Sequence, residues 1–161
     1  MSAPAAASAR SRLMSWLRGE PLRVPSHALI THFPLALLPT SFLFDLVDLV
    51  DPSAGLGTAA SLLLGLGLLG GLAAAGTGLL DWVEMIPGAR RSRVTRHALV
   101  QAAALLAFAI SLGLRLGAPG SPAPVVSILA SAVGLAILVV GGHLGALLVY
   151  RDGMRVRSGG R

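Results

Sequence analysis

His27, His32, His97 and His143 are the side chains of this chain best suited to chemistry, because an imidazole can ligate a metal, carry a proton or hold a hydrogen bond near neutral pH. The first two stand in SHALITHFPL, residues 26–35, at the entry to a long apolar run. His97 follows Arg96 at the entry to another run, and His143 lies within GGHLGALLVY in a third. Cysteine is absent. That removes disulfides, thiolate zinc sites, iron–sulfur ligation and covalent haem attachment, so any cofactor must be held by histidine, carboxylate or backbone. A b-type haem needs two axial nitrogens from opposing helices and no covalent bond, which a pair of these histidines would supply. The same rings would also serve a bare metal or proton-relay site, or act as fasteners hydrogen-bonded to carbonyls, to Asp81, to Tyr150 or to lipid headgroups.

The charged side chains inside the apolar runs fall into two groups. Asp45, Asp48 and Asp51 lie near one end of the first run, and Arg115 lies near the corresponding end of the third. An ion pair between Asp45 and Arg115 is the simplest arrangement for charges in such a setting. Asp81 and Glu84 belong to the opposite end, where Asp81 is expected either to orient a histidine ring as an acceptor or to pair with loop arginines. No nucleophile–base triad, phosphate loop or paired metal-binding helix motif is present. The chain therefore reads as an electron-transfer or structural membrane protein and not as a stand-alone enzyme.

The elements that must position these residues are membrane spans. Of 161 residues, 54% are apolar and only 12% charged, which excludes an ordinary soluble domain. Four apolar segments, about 27–50, 57–82, 97–117 and 124–150, are each long enough to cross a ~30 Å hydrocarbon core. Pro and Gly punctuate the connections DPSAGL, VEMIPGARRSRVTR and GAPGSPAP. All thirteen basic residues are arginine, and the formal charge is +6. They flank the spans and form no stripe on a soluble face, so the charge is a topology signal and not a nucleic-acid footprint. Arginines fill the N-terminal arm 1–25, the middle connection and the C-terminal tail, and are absent from the first and third connections, which places both termini in the cytoplasm. The arm lacks the apolar core of a cleaved signal, and its Leu13, Met14, Trp16 and Leu17 suit either an interfacial helix or a disordered tail. The reading is an all-α, integral membrane antiparallel four-helix bundle over residues 26–156, followed by a flexible basic tail at 157–161. No internal repeat stands out.

Helix faces follow from small and polar residues, which mark the inward side in lipid. Segment two gives Gly67, Gly71, Ala74, Gly78 and Asp81; segment three gives His97, Gln101, Ala104, Phe108, Ser111 and Arg115. Segment four is expected to turn Ala132, Ala136, Val139, His143, Ala146 and Tyr150 inward. Counting ~1.5 Å per residue from the nearest arginine-rich or proline boundary puts His27 ~3 Å, His32 ~10 Å, His97 ~2 Å and His143 ~12 Å into the membrane. The matching depth of His32 and His143 makes them the preferred haem ligands, with His97 as the leading substitute and His27 behind it. Pro34 and Pro39 deprive the carbonyls of Ile30 and Leu35 of their helical donors.

The motifs HALITHFPLALLPTSFLFD, TGLLDW, RHALVQ and GGHLGALLVYRDG resemble the successive signatures of a bacterial membrane family, domain of unknown function 2231, over roughly residues 26–156. His27, His32, Pro34, Asp45, Asp81, His97, Gly145 and Tyr150 fall on the family's characteristic positions. Ala28 stands where the family commonly has Pro, and Asp152 where it commonly has His. The resemblance implies a four-span fold and a place in the bacterial inner membrane. Related domains joined to Rieske or c-type cytochrome modules imply an electron-transfer setting, with any redox partner here a separate polypeptide. The functional expectation is thus haem b bound by membrane-embedded histidines. Its competitors are a non-catalytic membrane subunit or assembly factor packing through glycine-rich faces, and a metal or proton carrier.

Overall fold

The computed structural model describes residues 3–19, 21, 24–117 and 123–153. The expected tail 157–161 and most of the GAPGSPAP connection lie outside them. Six helices account for most of the described chain: α1 (Ala3–Leu17), α2 (Ser26–Ile30), α3 (His32–Val50), α4 (Gly57–Val83), α5 (Ala89–Gly117) and α6 (Val125–Tyr150). Four stretches are long and apolar enough to cross a membrane: α2 with α3, then α4, α5 and α6. Their outer faces carry rows of exposed Leu, Val and Ile, among them Leu62, Leu69, Leu106 and Val139. So much contiguous apolar surface belongs against lipid tails. This is a membrane protein.

Local chemistry sets the breaks. The first span is two helices and not one continuous element, because Pro34 has no N–H and its ring crowds the carbonyl four residues back, at Ile30, where α2 ends. Thr31 bridges the gap: its N–H donates to the His27 carbonyl at 3.0 Å and its hydroxyl to the Ala28 carbonyl at 2.8 Å. At the other end of α3, the Asp51 carboxylate accepts from the Ser53 N–H at 3.1 Å, and a short 3-10 turn, Pro52–Ala54, leads to Gly55 in the left-handed region. Asp48, 1% exposed, accepts the Leu56 N–H at 2.9 Å and so caps the start of α4. Between α4 and α5, Gly88 at φ +151° ends the turn. The helix then begins at Ala89, so Arg90 to Arg96, read from sequence as connection, lie within α5. Arginine is a good helix former with a long stem that reaches out from a span, and both properties favour that extension.

Packing pairs α3 with α4 and α5 with α6 most extensively, and the two pairs meet through α4 with α5 and α3 with α6. Contacts between α3 and α4 run in opposite chain order: Ser41 reaches Ala60, Leu38 reaches Gly67, and Pro34 reaches Gly70. Leu38, Leu64, Leu68, Ala104, Phe108 and Leu138 form the apolar centre. Close approach there depends on glycine. A Cβ on Gly67 would stand 2.7 Å from the Leu38 side chain, and one on Gly134 would stand 3.0 Å from the Phe108 ring.

The face expected of segment four is corrected. The buried side of α6 is Ser127, Ile128, Ser131, Gly134, Leu138, Gly141 and Leu148. His143, Ala136, Val139, Ala146 and Tyr150 face outward, with Tyr150 89% exposed. Gly134, Gly141 and Gly145 lack the methyl that the alanines of the rival stripe carry, and so let α6 approach Phe108, Gln101 and His97 of α5; that contact sets its rotation.

Candidate functional site: histidine clamps and a buried ion pair

The histidines separate into an inner and an outer pair. His27 and His97 are half-buried, whereas His32 and His143 are exposed on the outer surface. The preferred ligand pair of the depth reading therefore stands on the lipid side. Equal depth says nothing of azimuth, and the rotation of α6 just described carries His143 away from the bundle. Among the described residues, His32 Nδ1 hydrogen-bonds within its own span, to the Leu29 carbonyl at 3.1 Å.

His27 and His97 are held in the same way. His27 Nδ1 lies 2.7 Å from the Ala74 carbonyl of α4, and His97 Nδ1 lies 2.9 Å from the Gly141 carbonyl of α6. A carbonyl has no proton to give, so each Nδ1 is the donor and each neutral ring keeps its lone pair on Nε2. Each ring also packs over a glycine one turn beyond its acceptor. A Cβ on Gly78 would be 3.0 Å from His27 Nδ1, and one on Gly145 would be 3.0 Å from His97 Cε1. A histidine anchored through Nδ1–H on a backbone carbonyl, with Nε2 unprotonated, is in the tautomer and orientation typical of metal-ligating imidazoles. The Ala74 carbonyl also accepts from the Thr77 hydroxyl at 2.9 Å. Near Gly141, the Gln101 Oε1 is buried with no partner among the described residues.

Of the other residues singled out from sequence, Asp81 is half-buried on α4, and Tyr150 is too exposed at the end of α6 to reach the rings as a supporting partner. Among the described residues, no three of His, Asp and Glu come together as a metal-holding group.

At the opposite end of the bundle, Asp45 and Arg115 meet side-on. Arg115 Nη1 donates to Asp45 Oδ1 at 2.7 Å and Nη2 to Oδ2 at 2.5 Å, with side chains 0% and 4% exposed for Asp and Arg. This bidentate geometry is the strongest form of carboxylate–guanidinium pairing. Hydroxyls extend the polar layer: Ser111 Oγ lies 3.4 Å from Arg115 Nε and 2.8 Å from Ser131 Oγ, and the Ser41 hydroxyl donates to the Ala60 carbonyl at 2.7 Å. The apolar centre separates this layer from the histidines.

The rim at the histidine end is fastened by surface contacts. Arg91 stacks over Trp82 at 4.1 Å from the ring centroid, and the Trp82 indole N–H donates to the Thr95 hydroxyl at 2.9 Å. Arg18 pairs with Glu84, and Arg93 pairs with Asp152 at 2.7 Å. The acceptor carbonyls of Ala74 and Gly141 escaped sequence reasoning, because a backbone acceptor has no residue signature. The one available signal was the triplet His-Ala-Leu, which recurs at His27 and at His97.

A family model described as predicted membrane protein (DUF2231) matches residues 23–158. No curated protein and no solved structure matches the chain.

Proposed function

The chain belongs to the DUF2231 family of predicted membrane proteins, and on that footing we propose that it is an electron-transfer protein of the bacterial inner membrane that binds a b-type haem through His27 and His97. The carrying observation is the matched pair of inward rings, each fixed by Nδ1–H on a carbonyl of the neighbouring helix and each left with Nε2 as its free nitrogen. When bound, the haem would supply a one-electron redox couple. The chain's own part is to fix both ring tautomers, raise the basicity of Nε2 through the carbonyls, and surround the site with lipid-facing helices that keep water out. In this reading the spans form an antiparallel four-helix bundle with both termini cytoplasmic. The opposite running of the α3 and α4 contacts supports that arrangement, as does the placing of arginines in the arm, the middle connection and the tail. Redox partners are separate membrane or cytoplasmic polypeptides.

The test is the visible spectrum of the full-length protein, produced with ample haem and purified in detergent. A Soret band and a reduced-minus-oxidised difference are expected, abolished by His27→Ala and by His97→Ala and retained in His32→Ala and His143→Ala. No Soret band in the unaltered protein refutes the haem reading.

One observation favours a second reading. The apolar centre is filled by Leu38, Leu64, Ala104 and Phe108, each 0% exposed, and both histidines already satisfy Nδ1 by clamping helices together. A non-catalytic membrane subunit or assembly factor needs no more than that. Under this reading the spectrum is blank, while both histidine variants still loosen the bundle.

A further inference from the structure

We infer that α2–α4 and α5–α6 are two copies of one helix-hairpin unit, facing each other across an approximate two-fold axis along the bundle, and that Asp45–Arg115 is a lock between equivalent positions that makes each copy bind the other kind and not its own. The inference stands whether or not haem is bound.

The correspondence is residue by residue. Adding 70 to the first span gives His27 and His97, Ala28 and Ala98, Leu29 and Leu99, Leu35 and Leu105, and Ser41 and Ser111, all identical. Four of the five buried positions of α3, Pro34, Leu38, Ser41 and Asp45, become Ala104, Phe108, Ser111 and Arg115, which are the buried residues of α5 over the same stretch; the fifth, Asp48, maps to position 118, outside the described residues. Adding 67 to the second helix carries buried Ala60, Leu64, Gly67, Gly71 and Ala74 onto Ser127, Ser131, Gly134, Leu138 and Gly141, all buried on α6. The offsets differ by three, so the second unit has three fewer residues between the equivalents of Asp45 and Ala60.

The contacts repeat as well as the letters. Leu38 fills the notch over Gly67 as Phe108 fills that over Gly134. His27 bonds the Ala74 carbonyl and covers Gly78, as His97 bonds the Gly141 carbonyl and covers Gly145. Two spans per unit return the chain to the same side, so the copies share one orientation in the membrane, as parallel internal repeats do.

Against this background one equivalent pair departs in charge. Positions 45 and 115 are related by the offset, touch each other, and carry opposite signs. Contact between equivalent positions is what an axis requires of residues lying on it. Two first-type units would set carboxylate against carboxylate there, and two second-type units guanidinium against guanidinium, in an interior with little water to relieve them. The surface between the hairpins is therefore an association surface specific for a hairpin of the same design and opposite central charge.

Two measurements on the full-length chain test this. In the first, Asp45→Arg, Arg115→Asp and the double exchange are compared by recovery of monodisperse protein in mild detergent. Each single change is expected to cut recovery at least fivefold, and the double exchange to restore it to within twofold, because equivalent sites accept the reversed pair. A double exchange no better than the singles, or singles that match the unaltered protein, overturns the lock. In the second, a site-specific protease sequence inserted between Pro87 and Gly88 is cut in the folded, purified protein. The two fragments are expected to elute as one particle. Fragments that elute separately overturn the two-unit assembly even where the charge variants fail to fold.

Discussion

Replacing Asp45 by alanine takes both hydrogen-bonded carboxylate oxygens from the Arg115 side chain, which is 4% exposed, and leaves it Ser111 Oγ at 3.4 Å among its described hydrogen-bond acceptors. The attraction lost can be sized from two sides. Opposite unit charges ~4 Å apart interact by ~4 kcal/mol at an effective dielectric constant of ~20. Removing one partner of a buried pair typically costs ~3–5 kcal/mol, because the surviving charge has paid for burial without return. Asp45→Ala should therefore destabilise the bundle by ~3–5 kcal/mol, with a larger loss than any single surface pair at the rim would give. Salt should not change the figure much, since a pair shielded from water is screened weakly. The assay is reversible unfolding by graded SDS in mixed micelles, read by helical circular dichroism and tryptophan fluorescence. A paired control, Asp45→Leu with Arg115→Leu, should return most of the stability, because two apolar groups of similar bulk need no partner. An Asp45→Ala loss below ~1 kcal/mol, or a double variant as damaged as the single, would refute the assignment of the pair as a charge held away from water.

Four smaller perturbations follow from the packing. Gly67→Ala puts a methyl 2.7 Å from Leu38 and should cost ~1–3 kcal/mol in the same SDS titration, whereas Gly76→Ala, with open space around it, should cost nothing measurable. Phe108→Ala empties the most central aromatic site and should cost toward the lower end of ~3–5 kcal/mol, since in lipid the loss is mostly dispersion contacts and not transfer from water. His97→Ala removes one interhelical hydrogen bond and should cost ~0.6–1.7 kcal/mol by the same titration. Trp82→Phe weakens the stack with Arg91 and deletes the donor to Thr95, and should raise the rate of tryptic cleavage at Arg90 and Arg91 about twofold to fivefold for a loss of ~0.5–1 kcal/mol.

How far the sequence speaks depends on what kind of physical signal each feature leaves. Span number and approximate ends are written in long apolar runs and in proline and glycine, and the stripe Gly67, Gly71, Ala74 could be read because glycines recurring at helical spacing have few other uses in lipid. Asp45 and Arg115 could be matched because Arg115 is the one arginine inside the apolar runs and Asp45 the deepest of the three carboxylates at its end of the bundle. The rotation of α6 could not be read. Two stripes of small residues compete on that helix, and only the shape of the α5 surface, with Phe108 and His97 projecting from it, chooses between them. The choice of inward histidines fails for the same reason: depth is counted along the axis, whereas azimuth is a property of the partner helix. The break at Thr31 was half legible, since Pro34 announces the lost donor at Ile30 but not whether the helix bends or stops. The repeat was hidden by its own divergence, for Asp against Arg and Gly against Leu at equivalent sites conceal a likeness that burial reveals at once.

The filled apolar layer between the two polar ends works as an insulator. From His27 to Asp45 the span rises roughly 27 Å at ~1.5 Å per residue, and the layer of Leu38, Leu64, Leu68, Phe108 and Leu138 between them is apolar, with His32 turned to the outer surface. That layer offers no side chain to relay a proton between the inward histidines and the ion pair. A membrane potential does ~2.3 kcal/mol of work per elementary charge per 100 mV, yet the paired Asp45 and Arg115 sum to zero. The ion pair thus offers the membrane's electric field almost nothing to pull on.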